Sequence, residues 1–405
     1  MRIIFCSSIF DMTQYEKLRK KSKLPLGLAD HNLNDNLIKG MDTNLVNPVR
    51  LVNNVQIPNY PSYPKILFHR QLWHHKENSN DVNCGFINLP IIKHLSRAYC
   101  TYKEIEKAIK EEKEDDLYLF SYDLHFGISF AITRIIKKYP NLKTCLFMPD
   151  IPSAVLESSS AGNIHLKDRI RAKLKSSSVN AFKSYVFITE QMAEVIPVKG
   201  KKYTIVEGIY NDNQSPLQES NEKKKIILYT GQINPVYGLG DLVEAYIRIA
   251  KKSNNYELWL CGSGPMVEEI TRLSKQYPGI KYFGYCNPQE IQEKQSKATV
   301  LINPRKNIGE YTKFSFPSKT MEYLASGRPM IGYKLDGIPN EYDPYICYVK
   351  DNSIEALMQK IEEVCSWPEN VRKEKGKQAR QFVMQYKTPK KQCEKIIKML
   401  EEMSN

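Results

Sequence analysis

The chain has 405 residues, of which 41% are hydrophobic and 26% are charged. This composition excludes a disordered chain, and the length favours two or three domains over one. Residues 1–200 carry 28 Lys and Arg against 20 Asp and Glu, and residues 201–405 carry 31 against 25, so the net charge of +14 is spread over both halves and indicates an anionic ligand of some kind.

The first half alternates short apolar runs with polar or helical stretches. RIIFCSS at 2–8 and TCLFMPD at 144–150 predict strands, and FGISFAITRIIKKYP at 126–140 predicts a helix. The opening run is too short for a secretory signal and leads directly into a polar segment, so we interpret it as the first strand. This alternation predicts a mainly parallel sheet covered by helices.

The second half repeats the alternation more regularly, from KKIILYTG at 224–231 to ICYVK at 346–350. We therefore predict an α/β protein of two doubly wound, Rossmann-like domains, with a cleft at the carboxyl ends of both sheets. The predicted boundaries are an N-terminal domain at 1–207, a polar linker at 208–222, a C-terminal domain at 223–385 and a C-terminal helix at 386–405.

Nine cysteines are scattered along the chain without a C-x-x-C pair, which indicates free thiols in a reducing cytoplasm. No apolar window approaches the length of a membrane span, so we expect any membrane contact to be peripheral. The basic stretches KLRKKSK at 17–23 and HLKDRIRAKLK at 165–175 either face an anionic surface or are solvated helix faces.

The segment FSFPSKTMEYLASGRPM at 314–330 predicts a helix that begins at Ser318. A helix N-terminus favours anions because its amides are unpaired and its dipole is positive there. Lys319 and Arg305 would add cations for a diphosphate, and Glu322 could accept hydrogen bonds from ribose hydroxyls. An ordinary capped surface helix would give the same pattern.

Three stretches together carry a family resemblance: NPRKNIGEYTKFSFPSKTMEYLASGRPMI at 303–331, LYTGQINPVYGLGDLVEAY at 228–246 and LCGSGPMVEEI at 260–270. They resemble the family 4 retaining glycosyltransferases of the GT-B fold, particularly bacterial enzymes of cell-surface polysaccharide assembly. The resemblance covers about residues 222–385 and is weaker over the first half. It implies a nucleotide-sugar donor site in the second domain, glycosyl transfer with retention of configuration, and a last helix that crosses back to the first domain.

The match to the family's donor motif is incomplete. Glu322 corresponds to the second Glu of the E-x7-E motif, which typically holds the ribose, whereas Phe314 stands at the first Glu position. Gln232 and Tyr237 stand where the family often has Arg and Lys. We therefore assign the diphosphate's cations to two other residues: Arg305 and Lys319.

Two more loops follow strand ends in this domain. Gly262 and Gly264 would let the backbone approach a ligand, although tight packing explains them equally well. Gly284 and Tyr285 lie where such enzymes usually meet the base, and Tyr285 could instead be core. The predicted donor-binding set is Gly231, Gln232, Gly262, Gly264, Gly284, Tyr285, Ser318, Lys319 and Glu322.

Acceptor chemistry is assigned to the first half. Asp150 follows a predicted strand where many relatives carry a His or Asp facing the transferred sugar, so it could orient the acceptor hydroxyl or support the oxocarbenium ion. An Asx turn before Pro152 is the structural alternative. His125 is a second acceptor-binding candidate. The predicted catalytic set is Asp150, Arg305 and Lys319.

Cleavage of a sugar–phosphate bond builds negative charge on the diphosphate, which fixed cations and helix amides stabilise without a metal. No convincing D-x-D and no His/carboxylate cluster of ligand spacing is present, so we expect no metal or other cofactor. The adjacent His74 and His75 are expected in solvent or packing roles. The expected partners are a UDP- or GDP-linked sugar and a saccharide or lipid-diphosphate-linked acceptor.

Other functions stay open. A nucleotide-sugar epimerase would use the same pocket but needs catalytic carboxylates in the cleft, and a non-catalytic partner subunit would account for Phe314, Gln232 and Tyr237. Nucleic-acid binding would use the charge, but the basic residues are dispersed and no recognised motif is present. We expect a cytoplasmic, metal-independent glycosyltransferase that can approach the cytoplasmic face of a membrane.

Overall fold

The computed structural model describes residues 1–112, 116–122, 124, 126–151, 177–211 and 224–403. The chain divides into two compact units. The first unit is Met1–Ile209 together with Pro389–Asn405, and the second unit is Tyr210–Thr388. Most of the predicted linker, 208–222, lies outside the described residues.

The first unit is built on an eight-stranded sheet of order β10-β9-β8-β7-β1-β2-β5-β4. Its neighbouring strands are parallel except for β4 and β5, which are antiparallel, and the order reverses between β1 and β7. A separate antiparallel ribbon pairs β3 with β6. The strands are β1 (Arg2–Ser7), β2 (Arg50–Asn53), β3 (Leu67–Phe68), β4 (Gln71–Trp73), β5 (Asp81–Asn83), β6 (Phe86–Ile87), β7 (Leu117–Tyr122), β8 (Lys143–Met148), β9 (Ser184–Phe187) and β10 (Lys202–Ile205).

The second unit is built on a six-stranded sheet of order β13-β12-β11-β14-β15-β16, in which every pair is parallel. Here the order reverses between β11 and β14. The strands are β11 (Lys225–Thr230), β12 (Tyr256–Cys261), β13 (Ile280–Tyr282), β14 (Val300–Asn303), β15 (Met330–Gly332) and β16 (Ile346–Tyr348).

Helices connect the strands. Those bounded within the described residues are α1 (Tyr15–Lys21), α2 (Leu28–Asn44), α3 (Ile92–Glu111), α4 (Phe126–Lys138), α5 (Met192–Val195), α6 (Leu239–Lys252), α7 (Val267–Gln276), α8 (Pro288–Lys297), α9 (Ser318–Ala325), α10 (Ile354–Ser366), α11 (Glu369–Tyr386) and α12 (Pro389–Glu401).

The local sequence explains these elements. The central strands are almost wholly buried, as continuous apolar runs predict for parallel strands covered on both faces. In α6, Leu239, Leu242, Val243 and Tyr246 form the buried stripe, and Lys251 and Lys252 end the helix, where cations complement its dipole. At the start of α8, the Asn287 side chain and the Glu290 side chain form a reciprocal capping box.

The last helix, α12, belongs to the first unit. It packs on α2 so closely that a Cβ on Gly40 would lie 2.2 Å from Pro389 O. The Cys393 thiol donates to Leu37 O over 3.4 Å, and the Tyr118 hydroxyl donates to Leu400 O over 2.7 Å. The predicted return of the C-terminal helix to the first domain is thereby confirmed.

All nine cysteines are free thiols, as the sequence predicts, and all but Cys100 and Cys347 are buried. Within the described ranges, none of the helices combines the length and the apolarity that crossing a bilayer requires.

Candidate active site

The candidate site lies where the strand order of the second sheet reverses. In open parallel sheets a crevice forms there, beyond the carboxyl ends of the two strands. The loop after β11 carries Gly231 and Gln232, and the loop after β14 carries Arg305 and leads to α9, which begins at Ser318. The topology therefore gathers these predicted donor residues at one edge of the sheet.

The side chain of Lys319 crosses the turn that follows β11. A Cβ on Gly231 would lie 2.7 Å from Lys319 Cε. The turn after β12 packs directly against the turn after β11, since a Cβ on Gly262 would lie 1.7 Å from Gly231 O. Gly262 also has a φ of 139°, a conformation that favours glycine. A side chain at either position would displace the lysine or separate the two turns.

The start of α9 presents donors and charge together. Its N-cap residue is Pro317, whose side chain cannot accept a hydrogen bond, and Thr320 N–H donates to Pro317 O over 2.8 Å. Lys319 Nζ lies 3.7 Å from Glu322 Oε2, and both side chains are partly exposed. This loose pair lets the ammonium and the carboxylate each turn to a ligand, beside first-turn amides that favour anions.

Tyr323 fixes α9 against the end of β11. Thr230 N–H donates to the buried Tyr323 hydroxyl over 2.8 Å, and the hydroxyl donates to Thr230 O over 3.1 Å. Burial raises the pKa of Tyr323, so the hydroxyl stays protonated and can act as both donor and acceptor. Tyr323 does not stand out in the sequence as a functional residue. The sequence feature that could have indicated its role is its position on the apolar face of the predicted helix, next to Glu322.

Arg305 is a cation that retains an unused donor. Its Nη2 donates to Ser315 Oγ over 2.9 Å, and its guanidinium carbon lies 4.8 Å from the ring centre of Tyr311 and 5.9 Å from that of Tyr237. Its Nε is buried and has no hydrogen-bond partner within the described ranges. Because Tyr237 stands where the resembling family often has Lys, Arg305 supplies a cation beside that position.

The neighbouring cation is arranged differently. Lys306 Nζ lies 2.5 Å from Asp241 Oδ2, and both side chains are largely shielded from solvent. This pairing neutralises Lys306, whereas the guanidinium of Arg305 is held by a hydroxyl and two rings. Of the two adjacent residues, Arg305 is therefore the better suited to a phosphate oxygen.

The glycine loops divide into two kinds. Gly262 N–H donates to Gly284 O over 2.7 Å, and a Cβ on Gly264 would lie 2.4 Å from Ile233 O, so packing alone explains both of these glycines. Gly284 faces open space, since nothing lies within 4 Å of its Cβ position. Tyr285 is 75% exposed, which excludes the core role considered for it.

Two positions that depart from the family's motif, Phe314 and Gln232, differ in their exposure to solvent. Phe314 is only 8% exposed and contributes apolar packing where the family has a carboxylate. Gln232 is exposed, and its backbone oxygen accepts a 2.8 Å hydrogen bond from the Tyr229 hydroxyl. Neither residue places a charge near Lys319.

In the first unit, Asn53 joins the ends of β1 and β2. Its Oδ1 accepts from Ser7 Oγ over 3.0 Å and from Ile9 N–H over 2.8 Å, and its Nδ2 donates to Asn83 Oδ1 over 2.7 Å. This amide cannot be recognised from the sequence, because its partners lie at least 30 residues away along the chain. Asn53 thus sets the backbone where β1 ends.

The predicted acceptor residues are only partly described. Asp150 lies just after β8 and is exposed. His125 and the basic stretch 165–175 lie outside the described residues. The other basic stretch, 17–23, overlaps the exposed helix α1.

His75 is held between two aspartates in the first unit, as a packing role predicts. Its ring lies between Asp42 Oδ2 and Asp81 Oδ2, each 2.8 Å away, and all three side chains are mostly buried. Burial lowers the pKa of His75, but the hydrogen bonds and charges of the two aspartates outweigh burial and raise the pKa to about 9. In the part of the chain that the structure describes, no group of three or more His, Cys, Asp or Glu is placed to hold a metal ion.

One protein-family model matches most of the second unit. Residues 211–382 match the family model "Glycosyl transferases group 1". A comparison with curated proteins gave no match.

Solved structures resemble the whole chain. The sucrose-phosphate synthase of Thermosynechococcus elongatus has a TM-score of 0.66 at 13% identity, covering 100% of this chain and 99% of its own. The lipopolysaccharide outer core galactosyltransferase WaaB in its apo form has a TM-score of 0.60 at 12% identity, covering 100% of both chains. A structure described as "Trehalose-6-phosphate from E. coli bound with UDP-2-fluoro glucose" has a TM-score of 0.66 at 10% identity, covering 99% of both chains. These similarities confirm the predicted GT-B fold class.

Proposed function

We propose that this GT-B chain, whose residues 211–382 match the family model "Glycosyl transferases group 1", is a retaining glycosyltransferase. It takes a nucleotide sugar at the carboxyl edge of the second sheet and transfers the sugar to a saccharide or lipid-linked saccharide. The cell-surface polysaccharides of bacteria, such as capsule, exopolysaccharide or O-antigen, are the product class that the sequence resemblance suggests. The observation that carries the proposal is the position of Lys319 across the turn after β11, with the first turn of α9 and the Arg305 loop following β14, at the point where the strand order reverses.

Each part of the donor has a proposed contact. The diphosphate lies against the first-turn amides of α9, with Lys319 and Arg305 as its cations, and Glu322 accepts from the ribose hydroxyls. The base lies by Gly284 and Tyr285, which face open space and solvent. UDP is the first nucleotide to test, because a similar structure is bound with UDP-2-fluoro glucose.

The proposed chemistry follows from these groups. As the sugar–phosphate bond breaks, charge develops on the leaving diphosphate, and Lys319, Arg305 and the helix amides stabilise it in place. A phosphate oxygen of the donor takes the proton of the acceptor hydroxyl, which Asp150 orients. No metal takes part in this scheme.

The test is a thermal-shift panel of UDP, GDP, ADP and their sugars, in buffer with EDTA. We expect one nucleotide to raise the melting temperature, and Glu322→Ala and Arg305→Gln to remove most of the shift. The matched controls are Glu369→Ala, an exposed helical Glu 3.0 Å from Lys373, and Lys306→Gln, the cation already paired with Asp241. Both controls should keep the shift. A shift that appears only when a divalent metal replaces the EDTA would contradict the metal-independent scheme.

One observation favours a second function. The buried Phe314 and the neutral Gln232 and Tyr237 stand at positions where the resembling family carries charge, as expected for a donor-binding partner subunit without transferase activity. Incubation of the bound nucleotide sugar with mixed saccharide acceptors separates the two functions. Release of free nucleoside diphosphate supports transfer, binding without turnover supports the subunit, and formation of a different sugar nucleotide without acceptor indicates an epimerase.

A further inference from the structure

The first turns of α3 and the residue before them have their polarity reversed. Ile91, Leu95 and Tyr99 recur every four residues and are 77%, 67% and 64% exposed. Lys93 and Arg97, on the opposite side, are only 6% and 5% exposed. A helix at a protein surface normally buries its apolar stripe and exposes its cations.

The buried cations have partners that hold the helix in this orientation. Lys93 Nζ donates to Ile57 O, and an Arg97 nitrogen donates to Val55 O, both in the loop after β2. The Arg97 guanidinium also lies 4.1 Å from the ring centre of Phe86. Because the inner face of α3 is thus anchored to the unit, the apolar outer face is a fixed part of the surface.

The apolar surface continues from α3 onto the β3–β6 ribbon. Ile87 N–H donates to Ser96 Oγ over 3.1 Å, which places Ile87 beside the exposed stripe. Leu67 pairs directly with Ile87, so the two side chains lie on the same face of the ribbon, and both are exposed. We call this surface the apolar platform: Leu67, Ile87, Ile91, Ile92, Leu95 and Tyr99.

Two exposed cations, Lys65 and Lys103, border the platform. Most other Lys and Arg of residues 43–76 and 82–103 are buried or paired, since Lys93 and Arg97 face inward, Arg50 pairs with Glu111, and Arg70 pairs with Glu104. Lys65 lies 4.8 Å from the ring centre of Phe68, and Lys103 lies 5.8 Å from that of Tyr99, so cations stand at the edges of the apolar residues. A second copy of this face would be repelled, and a nucleic acid would leave the aliphatic side chains exposed to water.

We propose that the apolar platform docks onto an anionic lipid bilayer. Ile91, Leu95 and Tyr99 enter the headgroup layer, and Lys65 and Lys103 meet the lipid phosphates. A tyrosine suits this depth, since its ring is apolar and its hydroxyl remains hydrated. The proposal is independent of the donor site, because it concerns binding to lipid and needs no nucleotide.

Vesicle flotation tests the proposal with the full chain. We expect wild type to float with vesicles of equal parts phosphatidylcholine and phosphatidylglycerol, and much less with phosphatidylcholine alone. Leu95→Gln with Tyr99→Gln should weaken the partition coefficient roughly tenfold or more, because two apolar side chains are lost from the interface. The matched control is Val371→Gln with Tyr386→Gln, an exposed Val and Tyr on α11, which should float as wild type does.

Three outcomes overturn the proposal. The first is wild type that floats with neither vesicle, and the second is a Leu95→Gln, Tyr99→Gln variant that floats as well as wild type. The third is a concentration-dependent dimer that this variant abolishes while no vesicle binding is seen, which would make the platform an interface between copies. Circular dichroism and the nucleotide thermal shift should match wild type in every variant, which excludes misfolding as the cause.

Discussion

His75 joins three parts of the first unit at the scale of a single side chain. It contacts Asp42 of α2 and Asp81 at the start of β5, and Asp81 also accepts from Leu51 N–H of β2 over 2.9 Å. Desolvation of three polar side chains costs free energy, which their mutual hydrogen bonds offset. The protonation state of one imidazole therefore affects how α2 and two strands hold together.

We predict that His75 makes the stability of the first unit depend on pH. Its pKa rises from 6.5 in the unfolded chain to about 9 in the folded one, so its stabilisation is complete below pH 6.5 and is lost as pH rises through about 9. A shift of this size corresponds to about 3 kcal/mol. His75→Asn should remove that dependence, measured as the free energy of unfolding in urea at about pH 6 and about pH 9.5.

The control for this prediction is His69→Asn, which changes an exposed histidine of the same unit. Its stability should vary with pH as that of wild type does. Equal loss of stability in wild type and His75→Asn across the same pH interval would contradict the assignment to His75.

At the residue scale, sequence reasoning found charges and missed neutral positioning groups. Glu322 and Lys319 stood out because a charged pair follows a helix start. Tyr323 and Asn53 did not, because a tyrosine on an apolar face and an asparagine at a strand end are common. Their importance comes from partners distant in sequence, such as Thr230 for Tyr323.

At the scale of elements, α9 functions in the proposed site only if it is held in place. The hydrogen bonds of Tyr323 connect its middle to the end of β11, while Gly231 lets Lys319 lie across the turn. The helix is eight residues long and is too short to be stable alone. Its position, and the direction of its first-turn amides, depend on this packing.

We predict that Tyr323→Phe weakens both stability and donor binding. The buried Thr230 N–H would lose its acceptor, which costs about 1–3 kcal/mol. Freed from this tie, α9 would also bind the nucleotide less tightly, measured as a higher Kd by calorimetry for the nucleotide that the thermal-shift panel selects. Stability is measured by urea unfolding.

Tyr246→Phe is the control for this change. It also removes a buried hydroxyl, one that donates to Tyr256 O over 3.2 Å, but it lies on α6. It should cost stability while the Kd stays that of wild type. An unchanged Kd in Tyr323→Phe would show that the tie has no part in donor binding.

Elements with continuous apolar runs could be predicted from the sequence, because a central parallel strand must be buried on both faces. The β3–β6 ribbon could not, since its strands have only two residues each. The orientation of the first turns of α3 could not either. Periodicity places Ile91, Leu95 and Tyr99 on the inner face, and only the carbonyls of the loop after β2 explain why Lys93 and Arg97 lie there instead.

At the scale of the whole molecule, the first unit is completed by the last helix. The buried face of α12 includes Ile396 and Leu400, and its contacts reach α2 and β7. Gln392 Nε2 also donates to Gly208 O over 2.7 Å, near the point where the chain leaves the first unit. The first unit therefore consists of two segments of chain, with the whole second unit inserted between them.

We predict that Ile396→Ala destabilises the first unit by about 2–5 kcal/mol, because it leaves a cavity between α12 and its neighbours. The second unit should keep its stability. Hydrogen exchange read by mass spectrometry follows the two units separately, through peptides from β1 and from β11.

Ile361→Ala is the reciprocal control. Ile361 is a fully buried residue of α10 in the second unit, so its loss should increase exchange in β11 peptides and leave β1 peptides unchanged. Equal destabilisation of both units by Ile396→Ala would mean that they unfold together, and would contradict the prediction.

The late position of α12 also bears on how the protein is made. A ribosome releases residues 210–388 before residues 389–401, so the second unit can fold while α2 still lacks its cover. Domains usually complete themselves in order from the N-terminus during translation, and here the unit that begins first is finished last. A chain terminated before α12 would carry a folded second unit and an α2 helix whose apolar face is uncovered, a combination that chaperones and proteases recognise.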